Sequence, residues 1–273
     1  MNGIQDSSKI LQNMDLIHTK NYSSNFFYFK NFKLSHNKST MKIGTDSMIL
    51  GAYTQHNNYK KILDIGTGCG VLAFMMAQKY VDSHIIGIDI DKNSIEEANE
   101  NKHLFNIEGS YSIDFIHISL QDFVKSLTSG NEKFDIIISN PPFFNNSYKS
   151  NKLYRNIGRH TDNLSFADLI ANVNIILRET GLFSIILPVP EAKNFIDEAE
   201  EEGLFCNKVL KIKPNNNIDC KRYLMYFSKS KLNYTEIDVL ILRDNNNIYT
   251  EQYINLTKDY HLFFSLQEKK LEL

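Results

Sequence analysis

The chain of 273 residues contains no tryptophan, only three cysteines and five prolines, and no apolar run approaching the length of a membrane span. Each shortage excludes something. Cys69, Cys206 and Cys220 are widely separated and show neither Cys-x-x-Cys nor Cys/His ligand spacing, so no metal site is expected. Residues 1–20 carry neither a basic stretch followed by an apolar core nor a small-residue cleavage site, which leaves no secretory signal. A cytoplasmic, metal-free protein without a membrane helix is the expectation. The missing tryptophan accompanies abundant Asn, Lys and Ile and reflects base composition more than function. A formal net charge of −2 argues against a protein that coats nucleic acid indiscriminately.

Short β-branched runs alternate with helical stretches from residue 60 to residue 212, the pattern of a doubly wound α/β sheet with crossover helices. Strands are expected at 61–65, 84–89, 111–118, 134–139 and 182–187. Helices are expected at 70–80, 91–106, 165–178 and 191–202, the second capped by Asp91 or by a box from Ser94 to Glu97. The runs 208–213, 223–228 and 236–242 follow without long helices between them, so the sheet is expected to end in antiparallel pairings. Residues 1–24 read as a flexible extension. Residues 25–34 hold Phe26, Phe27, Tyr28, Phe29 and Phe32 and read as a strand or hairpin packed on the domain.

Two features carry chemistry. The first is the loop Asp64-Ile65-Gly66-Thr67-Gly68-Cys69-Gly70, between the first strand of the sheet and its helix, where open α/β sheets bind nucleotides. Val71 stands where a dinucleotide fingerprint needs glycine or alanine, and Asp64 would sit badly beside a pyrophosphate. A phosphate-free cofactor with a cationic end, S-adenosylmethionine, suits the loop better. Asp89 closes the next strand, where a carboxylate accepts both ribose hydroxyls. Asp122 follows the third strand, placed either to accept from the adenine amino group, with Phe123 beside the ring, or to cap a helix.

The second feature is the corner Asn140-Pro141-Pro142-Phe143 after strand 134–139. Two prolines fix φ and remove two backbone donors, so the corner presents carbonyl oxygens and the Asn140 amide at a defined angle, followed by an aromatic face. Those acceptors match the two hydrogens of an exocyclic or side-chain NH2, and the chemistry indicated is methyl transfer onto a planar amine. Basic residues cluster at Lys30, Lys33, His36, Lys38 and Lys42, at Lys149, Lys152, Arg155, Arg159 and His160, and at Lys208, Lys211, Lys213, Lys221 and Arg222. The middle cluster begins just after the corner.

Together, the segments from Met41 to Gly51, from Leu63 to Gly70 and from Ser139 to Phe144, with weaker matches at Arg159-His160 and from Tyr249 to Tyr260, resemble the bacterial tRNA adenine-N6 methyltransferases that modify adenosine at position 37 of a valine tRNA. Phe143 departs from the tyrosine common among Asn-Pro-Pro-aromatic methyltransferases, losing a hydroxyl and keeping the stacking face. The resemblance implies a mostly parallel seven-stranded sheet with antiparallel C-terminal strands, a single domain over 25–273, and S-adenosylmethionine as cofactor. It places residues 25–51 as a hairpin and cofactor-covering segment, with Lys42, Thr45 and Asp46 near the methionine end. The residues alone also allow Thr45 or Asp46 to cap a helix there. Asn140, Pro141 and Phe143 are the expected catalytic residues, and Asp64, Gly66, Gly68, Gly70, Asp89, Asp122 and Asn140 the further cofactor contacts. Lys149, Arg155, Arg159 and His160 are the expected RNA contacts of a monomer. The rival readings are a glutamine N5-methyltransferase acting on peptide-chain release factors and a non-catalytic RNA-binding protein with a methyltransferase fold.

Overall fold

The apolar runs expected as strands become the centre of one twisted sheet. In the computed structural model, which describes residues 25–105, 111–127, 132–141 and 164–262, a hairpin of β1 (Phe26–Tyr28) and β2 (Lys33–Ser35) precedes α1 (Thr45–Tyr53). Alternating units follow: β3 (Lys61–Ile65), α2 (Val71–Lys79), β4 (His84–Asp89), α3 (Lys92–Lys102), β5 (Ser112–His117), α4 (Leu120–Ser126), β6 (Phe134–Ser139), α5 (Phe166–Ile176), β7 (Leu177–Pro188) and α6 (Val189–Glu201). Then come β8 (Phe205–Lys213), β9 (Arg222–Ser228), β10 (Glu236–Ile241) and α7 (Glu251–Thr257). The 1–24 extension lies outside the described residues.

The sheet runs in the order β10-β8-β9-β7-β6-β3-β4-β5. Strands β5, β4, β3, β6 and β7 pair in parallel, and β9 lies antiparallel between β7 and β8. Eight strands stand where seven are expected, and the last pairing is parallel instead of antiparallel: Glu236 lies opposite Lys208 and Ile241 opposite Lys213. Chain direction explains it. β9 ends where β8 begins, and the short link 229–235 delivers β10 to that same end of the free β8 edge.

Alternation along each strand divides the core into two layers. On β3, Ile62 packs in a cluster that takes in residues of α1, α2, α3 and α7, while Leu63 and Ile65 belong to a second cluster under α4, α5 and α6. The sheet is therefore covered on both faces, as parallel strands require. Helix starts follow their caps: Asp91 accepts from Asn93 N, Ser119 from Asp122 N, Ser165 from Asp168 N and Thr250 from Tyr253 N. The helix from Thr45 differs from expectation. Its N-cap is Gly44, with no side-chain cap, and Thr45 is its first residue. The Lys79 ammonium closes the other end of α1, donating to the carbonyls of Gly51, Ala52 and Thr54 at 2.9, 2.6 and 2.9 Å. Among the described residues no helix is long and apolar enough to cross a membrane.

Candidate active site

Every parallel strand ends at one rim, and the chemistry-bearing loops gather there. At the end of β3, Gly66, Gly68 and Gly70 all take positive φ, of 70°, 56° and 88°. Gly70 also lacks room, since a Cβ there would stand 2.7 Å from the Phe74 ring and 2.8 Å from that of Phe115. Above Gly66 and Gly68, by contrast, a Cβ would meet nothing within 4 Å, so these two glycines open the loop to a ligand. The amides of Gly66 and Thr67 donate to the Ile88 carbonyl at 2.9 and 3.0 Å, and Gly68 N donates to Asp89 Oδ2 at 2.9 Å. The loop is thus laid across the end of β4.

Asp64 is fully buried and directed at the start of α2. Its Oδ2 accepts from Thr67 Oγ1 at 2.6 Å and from Ala73 N at 3.2 Å, while its Oδ1 is buried without a partner among the described residues. Burial pushes this carboxyl up to about 7, against the hydrogen bonds from Thr67 and Ala73 and with some help from the nearby Asp89 charge. Burial also raises Asp89, whose Oδ1 accepts from Asp91 N. An uncompensated buried carboxylate oxygen, an open glycine cradle and a second carboxylate at the next strand end fit a ligand with a cationic end and a diol. They fit S-adenosylmethionine.

One strand over, Ser139 lies opposite Ile65 and donates from Oγ to the Ile65 carbonyl at 2.9 Å, which sets Asn140 beside Gly66. Asn140 Nδ2 donates to Ser47 Oγ on α1 at 3.0 Å, and Asn140 Oδ1 is buried with no hydrogen-bond partner among the described residues. A buried amide oxygen left unpaired costs about 1–3 kcal/mol, so this one is open to a donor that none of the described residues supplies. Pro141 is described and half-buried; Phe143 and the basic residues Lys149, Arg155, Arg159 and His160 lie outside the described residues.

The remaining assigned residues are placed as follows. Asp46 pairs with Arg222 Nε at 2.9 Å, which joins α1 to the start of β9. Thr45 and Lys42 are exposed, with Lys42 Nζ donating to the His36 carbonyl. Asp122 is exposed at the start of α4, where Ser119 Oγ donates to it at 2.9 Å and Lys125 pairs with it at 3.1 Å, interactions that hold its carboxyl below the usual range. Phe123 is 3% exposed, and its ring packs 6.1 Å from that of Phe134 in the core layer under α4, α5 and α6, because the helical turn after Ser119 points it under the sheet.

Four residues with roles here escaped the sequence reading: Ser47, Arg222, Glu97 and Asn101. Glu97 sits in an acidic run that looks like a solvated face, yet it is fully buried. Its carboxylate accepts from Ser35 Oγ at 2.7 Å, from the amides of Asn37, Lys38 and Ser39, and from Ser39 Oγ. Asn101 exchanges two hydrogen bonds with the Ser35 backbone and donates to the Cys69 carbonyl at 2.9 Å, tying the same segment to the glycine loop. A signal existed: Ser94, Ala98 and Asn101 share one helical face, and Glu97 borders it.

Burial opposes ionisation of Glu97, but the hydrogen bonds from Ser39, Ser35 and the Lys38 amide outweigh it and hold the carboxyl below its ordinary 4.5. Its stabilisation is therefore present above pH 4.5 and lost as pH falls through the lower folded value. Glu97→Ala is expected to lower the unfolding free energy by about 2–4 kcal/mol and to speed amide exchange at Asn37, Lys38 and Ser39. Chemical denaturation and hydrogen exchange check both.

Among the described residues no group of three or more His, Cys, Asp or Glu could hold a metal ion. Residues 36–164 match the methyltransferase small domain family. Over 240 residues the chain is 39% identical to the tRNA1(Val) (adenine(37)-N6)-methyltransferase of Trichodesmium erythraeum, covering 87% of this chain and 98% of that one. It is 40% identical over 238 residues to the protein of the same name from Pseudoalteromonas translucida, covering 86% and 98%. In fold it is similar to a predicted O-methyltransferase from Agrobacterium tumefaciens, with a TM-score of 0.57 at 16% identity over 79% of this chain and 96% of that one. A SAM-dependent methyltransferase from the same organism gives 0.53 at 13% identity over 77% and 72%.

Proposed function

Because the chain belongs to the tRNA1(Val) (adenine(37)-N6)-methyltransferase family, we propose that it transfers a methyl group from S-adenosylmethionine to N6 of adenosine 37 in the anticodon loop of a valine tRNA. The observation that carries this reading is the buried Asn140 Oδ1 beside the glycine loop, which has no partner among the described residues. Asp64, Gly66, Gly68 and Asp89 would hold the cofactor, which when bound supplies a methyl group on a cationic sulfur.

The protein's own part is chiefly positional. The adenine amino nitrogen is a poor nucleophile because its lone pair is delocalised into the ring. Asn140 Oδ1 and the Pro141 carbonyl accept its two hydrogens, favour the pyramidal geometry of attack and stabilise positive charge as it develops on nitrogen. Ser47 Oγ accepts from Asn140 Nδ2, which holds the amide plane and leaves Oδ1 for the substrate. No strong base is needed before transfer, since the methylated nitrogen loses its proton readily afterwards. Phe143 stacks on the base once it leaves the loop, and an unpaired loop base is cheaper to extrude than a duplex one. Lys149, Arg155, Arg159 and His160 contact RNA phosphates in this reading. Residues 25–273 act as one monomeric domain in the cytoplasm, where tRNA is modified.

The test offers purified protein S-adenosylmethionine with a labelled methyl group, together with unmodified tRNA and, separately, release factor. Label recovered as N6-methyladenosine in the tRNA is the expected result. Label on a release-factor glutamine, or on neither, would contradict the reading.

A further inference from the structure

The lysines of this protein are not distributed evenly between paired and unpaired states. At the rim opposite the active site, Lys229 pairs with Glu179 at 3.1 Å and Lys231 with Glu200; on β8, Lys208 meets Glu236 at 2.7 Å and Asp238 at 3.3 Å. At the active-site rim, Lys211, Lys213 and Lys221 have no carboxylate within salt-bridge distance among the described residues. Lys211 Nζ stands 5.9 Å from the centre of the Tyr223 ring, and Lys213 Nζ donates to the Asn216 carbonyl at 3.1 Å. Lys221 is exposed. Asp219 and Glu191 share this end but pair with none of the three, and Asp46 is taken by Arg222.

Register places these side chains. Asn140 follows Ser139, which is opposite Ile185 on β7; Pro188, the last residue of β7, is opposite Arg222 on β9, and Arg222 is opposite Ile212 on β8. Lys221 N donates to the Ile212 carbonyl at 3.0 Å, and Lys221 accepts at its own carbonyl from Val189 N at 3.3 Å. Asn140 is thus level with Leu210; with strands about 4.8 Å apart and about 3.3 Å per residue, the backbones of the three lysines stand about 10–15 Å to one side of it, Lys211 one residue further out along the strands and Lys213 and Lys221 about 10 Å further out. Strand pairing fixes their backbones.

Resting on the reading that the substrate is an anticodon loop, we propose that Lys211, Lys213 and Lys221, at the open ends of β8 and β9, form a docking surface for the phosphate backbone next to the methylated adenosine. Unpaired ammonium groups on a rigid rim bind successive phosphates by releasing counterions, and they position the RNA without reading its bases. Arg222 reinforces the surface from below through its bond to Asp46, which links the docking strands to α1 and, through Ser47, to Asn140.

Binding of a synthetic valine anticodon stem-loop, followed by fluorescence anisotropy over a range of salt concentrations, tests this separately from catalysis. Lys211→Ala/Lys213→Ala/Lys221→Ala is expected to weaken binding about tenfold to a hundredfold and to make the slope of log affinity against log salt shallower by about two to three. Its affinity for S-adenosylmethionine is expected to stay unchanged, which also shows that the variant is folded. Lys60→Ala/Lys229→Ala/Lys231→Ala removes the same charge from the opposite rim and is expected to keep wild-type affinity and slope. Equal losses in the two variants, or wild-type slope in the first, would overturn the surface. A wild-type protein that binds through this rim but methylates no tRNA would contradict the proposed reaction and leave the surface standing.

Discussion

Asn140→Ala is expected to lower kcat by about two to three orders of magnitude while the affinity for S-adenosylmethionine changes by no more than about twofold. The asymmetry follows from what the amide touches. Its oxygen is buried and unpartnered, so it contributes nothing to the free protein that alanine would take away, and its nitrogen gives up a single bond to Ser47. What alanine removes is an acceptor used only when a substrate amine gains positive charge, and such a loss appears in kcat. Ser47→Ala leaves the oxygen in place but frees the amide to turn, and kcat is expected to fall about tenfold. Ser47→Thr retains the hydroxyl and most of the rate. Adding Ser47→Ala to Asn140→Ala is expected to cost nothing further, because the first change acts through the second residue. Steady-state kinetics with tRNA, beside calorimetric binding of the cofactor, separates these outcomes from a general loss of structure.

The second large effect concerns Asp64 and pH. A carboxyl raised from 3.8 to about 7 is mostly protonated in the folded protein between those values and ionised in the unfolded chain. Folding is therefore favoured at low pH, and the burden of the buried charge is fully present above pH 7. A cation bound beside the carboxylate lowers its pKa, so binding is coupled to loss of its proton. S-adenosylmethionine affinity is expected to weaken by up to about tenfold per pH unit below 7, until the pKa of the bound state is reached. Asp64→Asn keeps an acceptor for Thr67 and Ala73 without the charge. It is expected to abolish the pH dependence, to weaken binding at pH 8 at least tenfold, and to raise the unfolding free energy at pH 8 by up to about 4 kcal/mol with little change near pH 4. Cofactor titrations and denaturation curves at pH 5, 6, 7 and 8 read both sides of the coupling. An Asn variant that binds as tightly as wild type at pH 8 would remove Asp64 from the cofactor's electrostatics.

The parts of the site legible in the sequence are those in which backbone conformation dictates residue type. Gly66, Gly68 and Gly70 sit at positive φ, and Asn140-Pro141 closes a strand whose Ile and Phe residues fill the sheet. Both patterns are local, and their places at the ends of β3 and β6 follow from a few adjacent residues. Contacts that depend on distant partners were not legible. Asp46 meets Arg222 from 176 residues away, and Glu97 binds a segment about 60 residues earlier, so no window of sequence names the partner of either, even where the helical face beside Glu97 marks it as bordering the core. Asp122 and Phe123 show the related difficulty: the first turn of α4 decides which of them faces the strand end, and Ser119, not Asp122, is the cap. The direction of β10 was likewise set by where the link from β9 emerges, a fact of sheet order and not of the strand's own residues.

Mapping the modified nucleotide shows whether the corner at Asn140 methylates one adenine nitrogen in one loop. A valine tRNA transcript is incubated with the protein and S-adenosylmethionine, cut into fragments and analysed by tandem mass spectrometry, beside a transcript carrying guanosine at position 37. A single added methyl group, on N6 of adenosine 37, and none on the guanosine transcript, is the expected result. Methylation at another nucleotide, or equal methylation of both transcripts, would contradict it.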